Sequence, residues 1–182
     1  LYTLIGGSGN VAVNREGNMI LSSGTTPNSY VTALWMARWF MNRNTENETT
    51  LGAAVPSYAS DYQKLLIGIY RAAPVYYTDY VQGAGFWIVR DGTYAERLLA
   101  VLNTPTGPSV IDVGGLPSAG DVLRIVWRQD VVSYLKNNVQ VAQIANVPGN
   151  WVGVASHTQG LVNTDTTDIR QEFTNIRAYQ DY

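Results

Sequence analysis

The chain has 182 residues, 46% of them hydrophobic, with twelve basic against fourteen acidic side chains and a formal net charge of -2. That length allows a sizeable core, and the near-balanced charge provides no basic field to neutralise a run of phosphates, so nucleic acid is not an expected partner. The absence of cysteine excludes a disulfide framework, a thiolate metal site and a cysteine nucleophile, and no apolar run approaches the roughly 18 residues of a membrane-spanning helix.

Residues 6–10, Gly-Gly-Ser-Gly-Asn, read as a flexible entry loop. They lack the Gly-Lys-Ser/Thr of a phosphate-binding loop and the closing glycine of a nucleophile elbow. From there, short apolar or alternating stretches rich in Val, Ile, Tyr and Trp are separated by Gly, Pro, Asn and Asp clusters, the signature of a β-sandwich or barrel. Strands are expected near 10–14, 18–23, 29–41, 51–58, 64–72, 85–90, 94–102, 109–113, 121–128, 131–136, 139–145, 151–156 and 172–180. The stretch 30–43 has both helical and alternating spacings. Its β-branched start, its aromatics and its neighbours favour a strand.

Three intervening segments read as loops. Residues 42–50, NRNTENETT, show no core position and suit an exposed hairpin tip. Residues 72–85 place Tyr76, Tyr77 and Tyr80 between Pro74 and the Gly83/Gly85 pair, and residues 160–170 are polar. On FWIVRDG, Phe86 and Trp87 must face opposite sides of a sheet, so one of them lies outside the main core.

The most informative stretch is 120–160. In DVLRIVWRQ, Leu123, Ile125 and Trp127 alternate with Arg124, Val126 and Arg128, as a half-buried strand requires. VVSYLKNNVQVAQI reads as a hairpin turning at Asn137 and Asn138, residue types that tolerate left-handed backbone. WVGVAS is a further strand, and EFTNIRAY (172–179) closes the chain. This order resembles the C-terminal half of the concanavalin A-like lectin/glucanase superfamily, the laminin-G-like jelly roll. VAVNREGNMILSS (11–23) is similar to its opening strands, which commonly pair with the last. The resemblance implies an all-β, two-sheet antiparallel jelly-roll sandwich. The whole chain, 1–182, is expected to form one such domain, and its start at Leu1 without Met suggests a piece of a longer protein.

Glycan-cleaving members of that superfamily carry carboxylates at alternate positions of one strand, because a nucleophile and an acid must lie roughly 5–5.5 Å apart for retention. No Glu-x-Asp-x-Glu run occurs here. The nearest sets, Glu46/Glu48 and Asp165/Asp168, fall in segments read as loops, and the lone imidazole, His157, is expected at an exposed strand end. The chain is therefore read as a binding protein rather than an enzyme. The resemblance also implies calcium in some members, for which Asn163, Asp165 and Asp168 could supply oxygens, but there is no Asp-x-Asp-x-Asp-Gly loop and no cofactor is assigned.

Aromatic residues are the best functional handle, because sugars stack their apolar faces on Trp and Tyr while Asn, Asp and Arg take the hydroxyls. Tyr76, Tyr77, Tyr80, Trp87, Arg90 and Asp91 form the expected ligand-binding set. The expected function is a non-catalytic carbohydrate-binding or host-attachment domain, placed by the resemblance in a phage tail or tail fibre, hence extracellular or on a virion surface. Its partners would be a cell-surface glycan and neighbouring subunits, a homo-oligomer included. The alternatives are a structural spacer or decoration domain, and a glycan hydrolase or lyase.

Overall fold

The computed structural model describes residues 2–40, 44–55, 63–71, 82–90, 96–104, 106–145, 147 and 154–180. Fourteen strands and, among the described residues, no helix build two antiparallel seven-stranded sheets. The first runs β1 (Tyr2–Gly6), β4 (Ser29–Phe40), β13 (Val154–Asn163), β6 (Gln63–Tyr70), β7 (Gly83–Arg90), β8 (Arg97–Thr104) and β9 (Gly107–Gly114). The second runs β12 (Val139–Ile144), β11 (Val131–Lys136), β10 (Val122–Arg128), β5 (Thr45–Leu51), β14 (Arg170–Gln180), β3 (Met19–Ser22) and β2 (Asn10–Val13).

Alternation decides what lies between the sheets. Leu123, Ile125 and Trp127 of β10 point inward against Leu65, Ile67 and Ile69 of β6 and Phe86 and Ile88 of β7, all buried in one cluster. Each such side chain, fully removed from water, contributes about 1.5–3 kcal/mol. Tyr134 crosses this core: its ring meets Phe86 edge to face at 5.4 Å, and its hydroxyl donates to the Val101 carbonyl at 2.7 Å. The KNN hairpin turns with φ of 53° at Asn137 and 64° at Asn138, so two consecutive left-handed residues give the type I′ turn that joins β11 to β12. Closing strand β14 pairs with β3 from Arg170↔Ser22 to Phe173↔Met19, the opening-to-closing pairing expected from the sequence.

Three expectations are corrected. Residues 45–51, read as part of an exposed loop, form β5 at the centre of the second sheet, with Thr45, Asn47, Thr49 and Leu51 buried. No apolar alternation marks the strand because its inward positions are mostly polar, and hydrogen bonds satisfy them. Asn47 Nδ2 donates to the Gly68 carbonyl, Thr49 Oγ1 to Asn47 Oδ1 and Gln159 Nε2 to Thr49 Oγ1, each at 3.3 Å. Next, β13 continues to Asn163, taking in part of the predicted 160–170 loop and placing His157 within a paired strand rather than at its end. Finally, Tyr2–Gly6, left without a strand, pairs with β4.

Phe86 and Trp87 do part company, as the pleat requires. Phe86 joins the core between the sheets, while Trp87 joins a second buried cluster on the outer face of the first sheet with Leu66, Tyr70, Val89, Leu99, Val101 and Val162. Glycines make this possible: a Cβ on Gly85 would lie 2.2 Å from the Tyr70 hydroxyl and 2.7 Å from the Ile67 carbonyl. Gly85→Ala should therefore displace the Tyr70 ring, lower the melting temperature by several degrees, at about 2–4 °C per kcal/mol for a chain of this size, and alter Trp87 fluorescence. A thermal melt followed by tryptophan emission checks this; an unchanged melt would show that the ring is not seated on β7.

Candidate functional site

The sequence-predicted site divides. Tyr76, Tyr77, Tyr80 and Asp91 lie outside the described residues. Trp87 is only 6% exposed; its indole N–H donates to the Tyr70 hydroxyl at 2.8 Å, and the Lys64 ammonium sits 4.1 Å from its ring centroid. Burial pushes the Tyr70 hydroxyl well above the ordinary phenol range, against the smaller lowering effect of the Trp87 bond. Trp87 is thus a buried packing residue with its N–H engaged and a cation over its ring. Arg90 ends the same strand three residues on, half-buried, with its Nη1 3.8 Å from Glu96 Oε1. The odd spacing sends Trp87 and Arg90 to opposite faces of β7.

The oxygens considered for calcium accept hydrogen bonds from their own turn and from the end of β3. Asp168 Oδ1 accepts from Ser22 Oγ at 2.7 Å and the Gly24 amide at 2.8 Å, and Oδ2 accepts from Arg170 Nε at 2.7 Å. Asn163 Oδ1 takes the Asp165 amide at 2.9 Å, and Asp165 Oδ1 the Thr166 amide at 2.6 Å. Among the described residues, no group of three or more His, Cys, Asp or Glu is placed to hold a metal ion.

A different site emerges on the outer face of the second sheet. With Thr45, Asn47 and Thr49 turned inward, the pleat of β5 must turn Glu46 and Glu48 outward. Cross-strand register then puts Tyr179 of β14 and Val126 of β10 beside Glu46, and Arg177 and Arg124 beside Glu48. Arg124 reaches diagonally, donating Nε to Glu46 Oε2 at 3.1 Å with its Nη2 on the same oxygen, while Arg128 Nη2 takes Oε1. Two guanidinium groups thus clamp one carboxylate whose side chain is 13% exposed. Burial alone would raise the Glu46 pKa, but the hydrogen bond and charge of Arg124, joined by those of Arg128, outweigh it and bring it below the usual carboxylate value.

Glu48 is held differently. Among the described residues its partner is Arg177, with Nη1 3.9 Å from Oε1, too far for a hydrogen bond, so this largely shielded carboxylate keeps its acceptor positions open. Tyr179, opposite Glu46, is 48% exposed. Glu46, Glu48, Arg124 and Tyr179 line a solvent-open hollow of about 370 Å³. It combines an open carboxylate, guanidinium N–H groups and an accessible aromatic face on three adjacent rigid strands. The first half of this pattern was visible as Arg124 and Arg128 alternating with core residues; the carboxylates were hidden because β5 was read as a loop.

No protein-family model matches the chain, and no curated protein sequence matches it. Solved structures do share its architecture. The carbohydrate recognition domain of Emp47p superposes with a TM-score of 0.70 at 12% identity, over 99% of this chain and 89% of that one. A family 7 alginate lyase, A1-II′, determined with a bound product, gives 0.64 at 13% identity over 94% and 83%. Rv0315 of Mycobacterium tuberculosis, described as an immunostimulatory antigen and pseudo β-1,3-glucanase, gives 0.64 at 12% identity over 95% and 79%. The fold is therefore the concanavalin A-like jelly-roll sandwich, as the sequence resemblance implied.

The clamp has a consequence for acid stability. Glu46 binds protons less readily folded than unfolded, so its contribution is present above its unfolded value, near the ordinary 4.5, and is lost as pH falls through the lower folded value. Asp121, beside Asn137, Ser118 and Lys136, and Asp168 are lowered in the same sense after their own burial is outweighed. Glu46→Gln is expected to reduce stability at pH 7 and to flatten, without abolishing, the loss between about pH 5 and 3. Urea unfolding across that range measures it; an acid limb as steep as the wild type would show that Glu46 carries no pH-linked stability.

Proposed function

We propose that the chain is a non-catalytic carbohydrate-binding domain whose glycan docks in the hollow on the outer face of the second sheet. One observation carries the reading: an exposed Tyr179 ring, opposite the clamped Glu46, lines one hollow with Arg124 and with the Glu48 carboxylate, which has no hydrogen bond among the described residues. Tyr179 supplies an apolar face for a pyranose ring, Glu48 accepts hydroxyl protons and Arg124 donates. The arginines that hold Glu46 and the strands that carry all these groups keep the geometry in place before the ligand arrives, which reduces the ordering cost of binding. Similarity to a carbohydrate recognition domain supports the class of ligand. Affinity at one shallow site would be low, and several copies on a larger assembly would raise it.

A catalytic reading has one point in its favour: Glu46 and Glu48 lie on alternate positions of one strand face. Against it, Glu46 is ionised at neutral pH and both its oxygens are engaged, so it has no proton to give a leaving group. The spacer or decoration reading would instead cover Tyr179 with a neighbouring subunit. The similar structures offer no counterpart for a phage-tail setting, and the binding proposal does not depend on one.

A glycan array, followed by titration calorimetry on the hits, tests the proposal with Tyr179→Ala and Glu48→Gln, each confirmed folded by circular dichroism. Both variants should bind at least about tenfold more weakly, equivalent to about 1.4 kcal/mol, and the wild type should release no shortened product on prolonged incubation. A folded wild type that binds no glycan would reject the reading in favour of the spacer; a shortened product would reject its non-catalytic part.

A further inference from the structure

The charge arrangement inside the hollow goes beyond shape. Glu46 is one carboxylate held by two guanidinium groups, so the clamp itself carries a net positive charge. Arg124 uses Nε and Nη2 on Glu46, and its Nη1 makes no hydrogen bond among the described residues although the residue lines the hollow. Arg177, opposite Glu48 on β14, is 56% exposed and linked to Glu48 by the 3.9 Å ion pair, so among the described residues its planar N–H fork is also available. Counting the whole cluster, three guanidinium groups face two carboxylates.

Building on the glycan-binding reading, we propose that the hollow selects an acidic saccharide, a sugar unit bearing a single carboxylate, held by Arg124 with Arg177 at the rim. A planar carboxylate suits guanidinium N–H pairs, and such charge-assisted bonds are roughly twice as strong as neutral ones. Its single negative charge matches the local excess. Glu48 limits the choice of pose: the sugar carboxylate lies at the guanidinium side, and ring hydroxyls donate to Glu48. A neutral sugar could stack on Tyr179 and bond to Glu48 but would leave the excess charge to solvent.

The test uses ligand pairs that differ only in that charge: oligogalacturonate, oligoglucuronate and sialyllactose, each against its methyl ester, titrated by calorimetry into the whole chain. At least one acid is expected to bind about tenfold or more tightly than its ester, with affinity falling as salt rises from 50 to 500 mM. Arg124→Gln should erase the acid preference, and Arg177→Gln, an exposed change that leaves the clamp intact, should reduce it severalfold; Arg97→Gln, on the other sheet, should leave it unchanged. Equal affinity for acid and ester, or a preference surviving in both Arg124→Gln and Arg177→Gln, overturns the proposal. If neutral glycans alone bind, and Tyr179→Ala abolishes that binding, acid selectivity fails while the glycan-binding reading stands. If nothing binds, both fail.

Discussion

The pleat of β5 is the constraint on which the second sheet's architecture and its outer surface both depend. This strand lies at the centre of its sheet, between β10 and β14, and its inward residues are Thr45, Asn47, Thr49 and Leu51. Three buried polar side chains in a sandwich core would be costly without partners, each by about 1–3 kcal/mol. They are acceptable because Asn47 and Thr49 bond to each other and reach Gly68 and Gln159 of the facing sheet. The two sheets are therefore joined by directional bonds as well as apolar packing. A shift of one residue in β5 would turn Glu46 and Glu48 into the core, so the ladder also fixes register.

Fixed register turns an interior device into an exterior one. With Glu46 outward, Arg124 and Arg128 of β10, two turns of the pleat apart, close on it from one side, while Tyr179 and Arg177 arrive from β14 on the other. No loop is needed to bring these groups together. The hollow accordingly inherits the stiffness of three paired strands, in contrast to the turn after β13, where Asn163 and Asp165 oxygens accept from the turn's own amides and Asp168 ties the turn to Gly24.

How much of this was legible in the sequence depended on whether inward positions were apolar. Where they were, as in Leu123, Ile125 and Trp127 or in Phe86 and Ile88, alternation identified the strand and its buried face. The Asn137–Asn138 hairpin was readable for a separate reason, since asparagine tolerates the left-handed turn that both residues adopt. Thr45–Leu51 defeated the same reasoning because its core face is amide and hydroxyl, indistinguishable in one dimension from a solvated loop. The site was less legible still: Glu46, Arg124 and Tyr179 are dispersed across three strands, and only register brings them together.

Aromatic content pulled the sequence reading toward Trp87, yet that indole is buried, whereas Tyr179 on the closing strand is, among the described residues, an accessible ring. Tryptophan buries the largest apolar area of any side chain, so in a chain of this length packing competes strongly for it. Charge is the more discriminating signal in this composition. Only 14% of the residues are charged, yet Glu46, Glu48, Arg124, Arg128 and Arg177 gather on one sheet face. The clamp pairs one carboxylate with two guanidinium groups, an imbalance that packing alone does not require. In a protein so sparing with charge, that imbalance sets this face apart among the described surfaces.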